Sequence, residues 1–360
     1  MRILQVIESM TRGGAERLAL ELAREFAAAG HQSGILCLSA PGPWAETLKV
    51  EGLYAGCIAK RLGADLTCIE RLARFIRDYD ADIVNTHLFT ANLWTRLAGL
   101  ARRRWRLVVT LHNIDSWRRP IHKALDHCLS RAADHYVAVA APVAAYWRKN
   151  GAQRTALTTI PNAVRCNATT YTRPLESLPA TIRACGRLVP QKGFHILVEA
   201  ASLMAASGIK FDLEIIGEGP ERARLESMVM DKGLCDEVRF LGERDDARSL
   251  VAEADMVALP SLREGLPLVL LEAMHAGRPI VATRLDAVEY ALTHEREGLL
   301  VKPGSPAALA KGMERMIALP GCAAAMGLAA KNRAGRDFAI KRVADSYLRL
   351  YQDLVPGGSP

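Results

Sequence analysis

The chain has 360 residues, half of them hydrophobic, and a net charge of +8 at pH 7. This length exceeds what one ordinary hydrophobic core supports, so two domains are expected, and the composition excludes a wholly disordered protein. No run of about 18 apolar residues occurs, so no transmembrane helix is predicted. Charged residues at positions 2, 8 and 12 argue against a secretory signal. The eight cysteines form no CxxC pair, which argues against zinc or a disulfide framework and fits a cytosol.

The positive charge is concentrated in the N-terminal part. Residues 1–165 contain 23 Lys and Arg against 14 Asp and Glu, a net of +9, whereas the remainder has 24 against 25, a net of −1. A basic half beside a neutral half indicates an anionic partner for the N-terminal part. Nucleic acid and an anionic membrane surface are the two candidates.

The chain opens with a predicted strand over residues 2–7 and, after a loop, a predicted helix over residues 15–29, in which apolar residues recur every four positions from Leu18 to Phe26. A glycine-bearing loop at a helix N-terminus is a common phosphate site, because free N–H groups point outward there. The loop TRGGAE lacks G-x-G-x-x-G, which disfavours a dinucleotide site. A tight turn is the alternative interpretation of Gly14.

Two predicted strands, residues 83–86 and 107–111, each end at a histidine, His87 and His112. Ligand sites in doubly wound sheets lie beyond the carboxyl ends of the strands, so both histidines are candidates for a binding site. A structural role is the alternative for either one.

Two segments combine basic and aromatic residues, positions 102–106 around Trp105 and positions 117–123 after Trp117. Basic residues favour anionic lipid and tryptophan favours the membrane interface, so these segments predict reversible membrane docking. A solvated basic face on a cytosolic protein is the alternative.

The α/β alternation continues along the whole chain. Further strands are predicted over residues 136–140, 157–161, 181–186, 211–216 and 238–242. Residues 166–180 predict a linker, because they carry threonine and proline without periodicity. The loop GEGPER lacks a third glycine, which disfavours NAD, and Asp245–Asp246 is expected at a helix start and not in a metal site.

The stretch from Met256 to Thr283 predicts a strand over 256–259, a helix over 267–275 and a strand over 279–283. Seven residues separate Glu264 from Glu272. Eight positions along a helix correspond to about two turns at 3.6 residues per turn, so both carboxylates can face one cleft. Carboxylates there suit sugar hydroxyls, since each accepts several O–H hydrogen bonds. A helix-start acid and a surface acid are the alternative.

The surrounding residues, PS-x-x-EG-x-P-x-x-x-LEA-M-x-x-G-x-P-I-V-A-T, resemble the E-x7-E signature of retaining GT-B glycosyltransferases of glycosyltransferase family 4. This resemblance implies that Glu264 holds donor-sugar hydroxyls and acts at the reaction centre. It implies that Glu272 holds the ribose, and that Gly265 and Leu266 belong to the donor-binding loop.

Other segments resemble family motifs in the same order. GGAE implies that the Gly14 backbone approaches the donor diphosphate, and VVTLHN implies that His112 is catalytic and contacts the donor sugar. GRLVPQKG implies that Arg187 and Lys192 clamp the diphosphate in place of a metal. IPNAV carries alanine where the family has glycine, and RLDAVEYAL keeps Glu289 but lacks the usual glycines, which leaves sugar specificity open.

The resemblance implies an α/β GT-B fold, with two Rossmann-like domains facing across a cleft. Residues 1–165 and a helix over about 337–354, which crosses back to this domain, form the acceptor part; residues 181–336 form the donor part. The implied reaction is transfer of a sugar from a nucleotide diphosphate sugar to an acceptor hydroxyl, with retention. The resemblance implies assembly of a surface polysaccharide, lipopolysaccharide or lipid-linked glycan.

The expected donor is a nucleotide diphosphate sugar, with no metal and no further cofactor, and the expected acceptor is a glycan or a lipid-linked molecule. The expected location is the cytoplasm, with docking on the cytoplasmic face of the inner membrane. A non-catalytic nucleotide-sugar or carbohydrate-binding protein on the same fold is the alternative function. Nucleic-acid binding is not expected, because no RNA- or DNA-binding motif accompanies the charge.

Overall fold

The computed structural model describes residues 1–11, 13–61, 63, 65–100, 103–114, 120–152, 155–165 and 179–355. The chain divides into two compact units. Unit 1 comprises residues 1–165 together with residues 340–360, and unit 2 comprises residues 166–339. Most of the predicted linker, residues 166–178, and the end of the tail, residues 356–360, lie outside the described residues.

Unit 1 is built on a parallel sheet of seven strands within its described residues, in the order β3-β2-β1-β4-β5-β6-β7. The strands are β1 (Arg2–Ser9), β2 (Gln32–Ala40), β3 (Tyr54–Cys57), β4 (Ile83–His87), β5 (Arg106–Leu111), β6 (His135–Ala138) and β7 (Leu157–Thr159). The helices between them are α1 (Gly14–Ala28), α2 (Ala45–Val50), α3 (Thr67–Asp78), α4 (Leu88–Ala98), α5 (Pro120–Cys128) and α6 (Ala141–Asn150).

The central strands β1, β4 and β5 are buried over most of their length, because a parallel sheet is covered on both faces. The predicted face of α1 is confirmed, since Leu18, Leu22 and Phe26 are fully buried. The strand order reverses between β1 and β4, which are hydrogen-bonded neighbours with Val6 opposite Thr86. Ligands of doubly wound sheets bind at the carboxyl ends of the strands at such a switch point.

Unit 2 contains a second parallel sheet, with six described strands in the order β10-β9-β8-β11-β12-β13. The strands are β8 (Ala180–Cys185), β9 (Phe211–Ile216), β10 (Val238–Gly242), β11 (Met256–Leu259), β12 (Ile280–Thr283) and β13 (Leu299–Val301). The helices are α7 (Phe194–Ala206), α8 (Arg222–Asp231), α9 (Ala247–Glu253), α10 (Leu268–His275), α11 (Asp286–Ala291), α12 (Pro306–Ala318) and α13 (Pro320–Asp337). The switch point of this sheet lies between β8 and β11, where Met256 pairs with Ile182.

The last helix, α14 (Ile340–Leu354), belongs to unit 1 although it follows unit 2 in the chain. Its Tyr347 and Tyr351 are fully buried, and the Tyr351 ring lies edge-on to Phe26 of α1 at 5.6 Å between centroids. Packing of an amphipathic face against α1 therefore fixes this helix to unit 1. Among the helices that the structure describes, none combines the length and the apolar character needed to cross a membrane.

Candidate active site

The glycine loop of unit 1 joins the end of β1 to the first turn of α1. Gly13 is the N-cap residue, and its Cα faces the movable end of the Glu16 side chain, whose carboxylate would lie 2.2 Å from an added Cβ. Thr11 donates its hydroxyl hydrogen to Glu16 Oε1 at 2.9 Å. Gly14 begins the helix at an exposed position, where its N–H belongs to the free donors of the first turn. The fold thus places Gly14 at a helix N-terminus.

A pocket of about 300 Å³ lies at the carboxyl ends of β1, β4 and β5. It is lined by Glu8, Leu88, Phe89, Thr90, Asn92, Thr110, Leu111, His112, Asn113 and Trp147. His112 follows β5 directly and is 8% exposed, so this predicted site residue does border a cavity at the switch point of unit 1. Pockets that combine aromatic walls with a few polar groups are typical of small-ligand sites.

His87 lies behind His112 as the last residue of β4 and is fully buried. His87 Nδ1 is 2.9 Å from His112 Nε2, and His87 Nε2 is 2.7 Å from Gln5 Oε1. Asn85 Nδ2 also donates to Gln5 Oε1, at 3.0 Å. The two histidines therefore form one hydrogen-bonded pair that is held from the side of β1.

The polar chain continues from the histidines toward the last helix. Thr110 Oγ1 donates to Asn85 Oδ1 at 2.8 Å and lies 3.4 Å from the hydroxyl of Tyr347 in α14. All of these groups are fully buried, and a buried polar group without a partner is costly. The network therefore specifies how α14, β4 and β5 pack within unit 1.

Burial determines the charge of the histidine pair. Burial lowers the pKa of His112 to about 4, because the charged imidazolium loses its hydration. Burial, with a smaller repulsive contribution from His112, holds the pKa of His87 well below its usual range. Both rings are therefore neutral at pH 7, and His112 faces the pocket as a hydrogen-bonding group without charge.

Backbone strain accompanies this pocket. Leu88, which follows His87 and lines the pocket, has a φ of 66°, in the left-handed region that disfavours side chains. A conformation of this kind costs of order 1–3 kcal/mol and persists where the surroundings over-determine it. The β4–α4 turn is therefore held by its packing in a conformation that leucine does not prefer.

In unit 2, residues from β8 and β11 meet at the switch point. Lys192 ends a short 3-10 turn after β8, and its Nζ lies 2.6 Å from Oε1 of Glu264, in the loop after β11. Ser261 Oγ donates to the same carboxylate oxygen at 2.7 Å. The Glu264 side chain is 7% exposed and that of Lys192 is 21% exposed, so this ion pair is largely removed from solvent.

Gly193 makes this approach possible. Its φ is 68°, and a side chain there would lie 2.1 Å from the carbonyl oxygen of Pro260. The turn after Lys192 therefore requires glycine for both conformation and space. This is the physical reason for a K-G pair at this position.

Glu272 lies within α10 and is 8% exposed, while Gly265 and Leu266 are buried in the loop that leads to this helix. The helix begins at Leu268, so the 264–267 loop leads directly into the helix end at which backbone N–H groups have no partner within the helix. Arg187 is exposed two residues after β8 and makes no side-chain hydrogen bond or ion pair with another described residue. The structure therefore brings Lys192 and Glu264 into contact and places Arg187 and Glu272 on the adjoining loop and helix.

A second glycine loop packs against the one that carries Arg187. Gly217 and Gly219 have φ values of 137° and 159°, and side chains there would lie 2.0 Å and 2.4 Å from the carbonyl oxygens of Gly186 and Leu188. Close backbone packing therefore requires both glycines. The sequence pattern GEGPER does not reveal this contact, because it depends on the adjacency of β8 and β9.

Comparison with known proteins covers most of the chain. Residues 12–168 match the family described as Glycosyltransferase Family 4, and residues 179–318 match the family described as Glycosyl transferases group 1. The chain belongs to glycosyltransferase family 4. It is a glycosyltransferase with the α/β GT-B fold of two Rossmann-like units.

Individual relatives of this glycosyltransferase agree with that assignment. The lipopolysaccharide core biosynthesis glycosyltransferase LpsD of Rhizobium meliloti is 26% identical over 349 residues, which cover 95% of each chain. LpsE of the same organism is 30% identical over 169 residues, which cover 47% of this chain and 48% of LpsE. The crystal structure of Anabaena HepE in complex with UDP and glucose matches with a TM-score of 0.85 and 22% identity, over 98% of this chain and 100% of that one.

One part of the membrane-docking prediction for this glycosyltransferase is wrong. Trp105 is buried, with 7% exposure, and the Arg103 guanidinium stacks over its ring at 4.8 Å. Arg103 and Arg106 pair with Asp134 at 2.7 Å and 3.2 Å. Arg104 is exposed, but because Trp105 is in the core and Arg103 and Arg106 are paired, the described residues of this segment do not form a basic-aromatic surface. Arg102 and residues 117–119 lie outside the described residues.

Asp245 and Asp246 lie at the start of a helix, as the sequence predicts. Asp246 is the N-cap residue of α9 and pairs with Arg244 at 2.8 Å. Over the part of the chain that the structure describes, no group of three or more His, Cys, Asp or Glu side chains could hold a metal ion.

Proposed function

We propose that this glycosyltransferase transfers a sugar from a nucleotide diphosphate sugar to an acceptor hydroxyl with retention of anomeric configuration, in the assembly of lipopolysaccharide or another lipid-linked glycan. The observation that carries this proposal is the pair of Lys192 and Glu264 at the switch point of unit 2, beside α10 and its Glu272. An ammonium group suits a diphosphate, and carboxylates suit sugar and ribose hydroxyls. One switch point therefore offers complementary groups for each part of the donor.

In the proposed donor complex, Lys192 and Arg187 face the diphosphate and Glu264 accepts hydrogen bonds from sugar hydroxyls. The ammonium group carries three donors, so Lys192 can keep its bond to Glu264 while it binds a phosphate oxygen. Cations beside the leaving diphosphate stabilise the charge that grows as the glycosidic bond breaks. Gly265 and Leu266 supply backbone to the donor, and Glu272 holds the ribose.

His112 is proposed to position the donor sugar from unit 1. Because its pKa is lowered to about 4, it is neutral at pH 7 and binds hydroxyl groups without donating a proton to the reaction. The departing phosphate is proposed to take the proton of the acceptor hydroxyl. Gly14, at the N-terminus of α1, is proposed to approach the diphosphate through its backbone N–H.

The setting of the reaction is proposed from the relatives. LpsD, which matches along nearly its whole length, is named for lipopolysaccharide core biosynthesis. The HepE structure contains UDP and glucose, so a uridine diphosphate sugar is the first donor to test. The proposed architecture assigns the acceptor to unit 1 with α14, the donor to unit 2, and the boundary to residues 166–180.

A panel of nucleotide diphosphate sugars tests this function. The correct donor is expected to raise the melting temperature, because a ligand that binds only the folded state stabilises it. Transfer to a lipopolysaccharide-core or lipid-linked acceptor is expected to continue in EDTA, since Arg187 and Lys192 act as the counter-charge of the diphosphate. Product formation by the EDTA-dialysed protein is the measurement.

The control is the same protein with added magnesium or manganese. Complete loss of transfer in EDTA and recovery with either ion would show that a metal, and not the two cations, balances the diphosphate. Donor binding without hydrolysis or transfer to any acceptor would favour a non-catalytic binding protein. Salt-dependent binding of oligonucleotides, without any donor shift, would favour the nucleic-acid alternative.

Docking on the cytoplasmic face of the inner membrane is proposed through α5, since the 103–106 segment does not provide the surface. Ile121 and Leu125 are 65% and 38% exposed and lie four residues apart on one helical face, whereas Lys123 is exposed on another side of the same helix. The exposed apolar face favours insertion at a lipid surface, and the positive charge of the nearby lysine adds attraction when that surface is anionic.

The double variant Ile121→Ser/Lys123→Ser is expected to sediment less with anionic vesicles than the wild type does. Wild-type binding should fall as salt is added, because screening weakens the attraction of the exposed lysine. Leu203→Ser, which removes a 44% exposed leucine from α7 of unit 2, is the matched control and should bind as the wild type does. Equal sedimentation of all three proteins would remove this role from α5.

A further inference from the structure

The hydrogen bonds around His87 identify which nitrogen carries its proton. Gln5 Oε1 lies 2.7 Å from His87 Nε2, and an amide oxygen only accepts hydrogen bonds, so His87 Nε2 carries a hydrogen. The same oxygen accepts the second bond from Asn85 Nδ2. Asn85 Nδ2 lies 3.3 Å from His87 Nε2, farther than the 2.7 Å of Gln5 Oε1, so the closer amide oxygen is taken as the partner of that nitrogen. Turning the Gln5 amide alone would place two NH₂ groups against each other, so its orientation is tied to that of Asn85.

The ring nitrogen that carries the hydrogen in His87 determines which ring nitrogen carries the hydrogen in His112. Because the buried His87 ring is neutral, its single proton on Nε2 leaves Nδ1 as an acceptor. His112 Nε2, at 2.9 Å, must therefore donate to His87 Nδ1. A neutral His112 that carries its proton on Nε2 has a bare Nδ1, and its ring borders the pocket.

We propose that His87 is a positioning residue that holds His112 in the Nε2–H tautomer, so that His112 Nδ1 accepts a hydrogen bond from a substrate hydroxyl in the pocket. The choice of a hydroxyl-bearing ligand rests on the proposed function, whereas the tautomer assignment rests on the buried contacts and on the neutrality of the buried rings. In a neutral histidine the partner of one ring nitrogen sets the role of the other. Gln5 and Asn85 thus act on the pocket through His87 without touching its contents.

The left-handed turn at Leu88 is consistent with this role. Leu88 follows His87 directly and lines the same pocket, so the strained residue joins the positioning histidine to the pocket wall. Strain retained beside a site is expected where the neighbouring side chain must keep one orientation.

The tautomer is measured by long-range ¹H–¹⁵N correlation on the full chain labelled at histidine, without substrate. His112 signals are assigned by their loss in His112→Gln. The Nε2–H pattern is expected in the wild type. A pattern with the proton of His112 on Nδ1 would overturn the proposal, because both amides would then be turned together and His87 would donate.

Variants of His87 test the consequence for transfer. His87→Leu removes the acceptor, so His112 should lose its single tautomer and kcat should fall about tenfold or more, as for other second-sphere partners of histidine. His87→Asn keeps an acceptor near the place of Nδ1 and is expected to recover most of kcat, whereas His87→Gln, whose amide lies near the place of Nε2, is not.

Several outcomes separate positioning from folding and from the proposed function. Equal losses in His87→Asn, His87→Gln and His87→Leu, together with equal losses of melting temperature, would make His87 structural only. Unchanged kcat and an unchanged tautomer in His87→Leu would contradict the proposal. If no donor is turned over but the free protein shows His112 with Nε2–H, the proposed function fails and the tautomer assignment stands.

Discussion

Replacing Glu264 with alanine is expected to lower kcat/KM for glycosyl transfer by about 10²–10³-fold or more, the range seen when one transition-state hydrogen-bonding group is removed. The carboxylate is proposed to accept hydrogen bonds from the donor sugar, and these bonds hold the reacting carbon in place. Its removal also leaves Lys192 without the partner at 2.6 Å, so the ammonium group loses its fixed position. Steady-state transfer of the preferred donor is the measurement.

Glu264→Gln separates the carboxylate from the shape of the loop. The amide oxygen can still accept from Ser261 and Lys192, so the fold of the loop is kept while the negative charge is lost. Glu226→Ala, which removes an exposed acid on α8, is the control and should act as the wild type does. Wild-type turnover by Glu264→Ala would end the assignment.

Glu272→Ala is expected to weaken nucleotide binding, whereas Glu264→Ala is expected mainly to slow glycosyl transfer. Loss of one charge-assisted hydrogen bond to the ribose should weaken nucleotide binding by about 1–3 kcal/mol, which is about 5- to 150-fold in Kd. Titration of the free nucleoside diphosphate measures this directly. A larger effect on kcat than on Kd would move Glu272 from ribose binding to the reaction centre.

Replacing Lys192 with methionine is expected to lower kcat/KM by about 10²–10³-fold, because a cation that faces the developing diphosphate charge is lost. Methionine fills similar space, so the packing of the turn before Gly193 is retained. Lys192→Arg should retain part of the activity, because the charge is kept while the geometry of a single ammonium is not. The kinetics of donor turnover are the measurement.

Lys232→Met removes an exposed lysine just after α8 and should leave transfer unchanged. Melting temperature separates catalysis from folding, since Lys192→Met also leaves the largely buried Glu264 carboxylate without its cation. A Lys192→Met protein that turns over donor at the wild-type rate would remove Lys192 from the diphosphate site. A loss of rate that follows only the loss of stability would do the same.

The sequence predicts strands and helices correctly where an apolar run is bounded by proline or glycine. The strand over 256–259 is confirmed without change, and the helix and strand that follow begin one residue later than predicted, because Pro267 and Pro279 precede them. The sequence does not predict β3, because Tyr54–Cys57 is short, half-buried and without clear alternation. β2 is also missing from the prediction, although Gln32–Ala40 is a longer and mostly buried strand. The last helix starts at Ile340 and not at about residue 337, a shift of the size that is usual for helix boundaries inferred from sequence.

The sequence predicts the residues of the candidate site that belong to a local motif, but not the contacts between residues of different motifs. Lys192 and Glu264 are 72 residues apart in sequence, and their ion pair depends on the adjacency of β8 and β11, which no local pattern encodes. The partnership of His87 with Gln5 has the same cause across β1 and β4. Trp105 was assigned to a surface because its neighbours are arginines, whereas tertiary packing buries its ring beneath Arg103. The sequence gives the types of the site residues and their order along the chain, but the order of the strands in the sheet determines which of these residues are in contact.

The central claim is that this chain transfers a sugar from a nucleotide diphosphate donor with retention, through the Lys192–Glu264 site of unit 2. Proton NMR of the first product formed, with the donor that raises the melting temperature, tests it most directly. The expected product is a glycoside with the anomeric configuration of the donor, formed together with the nucleoside diphosphate and formed at least about 10²-fold more slowly with Glu264→Ala. An inverted product, or equal product from Glu264→Ala, would contradict it.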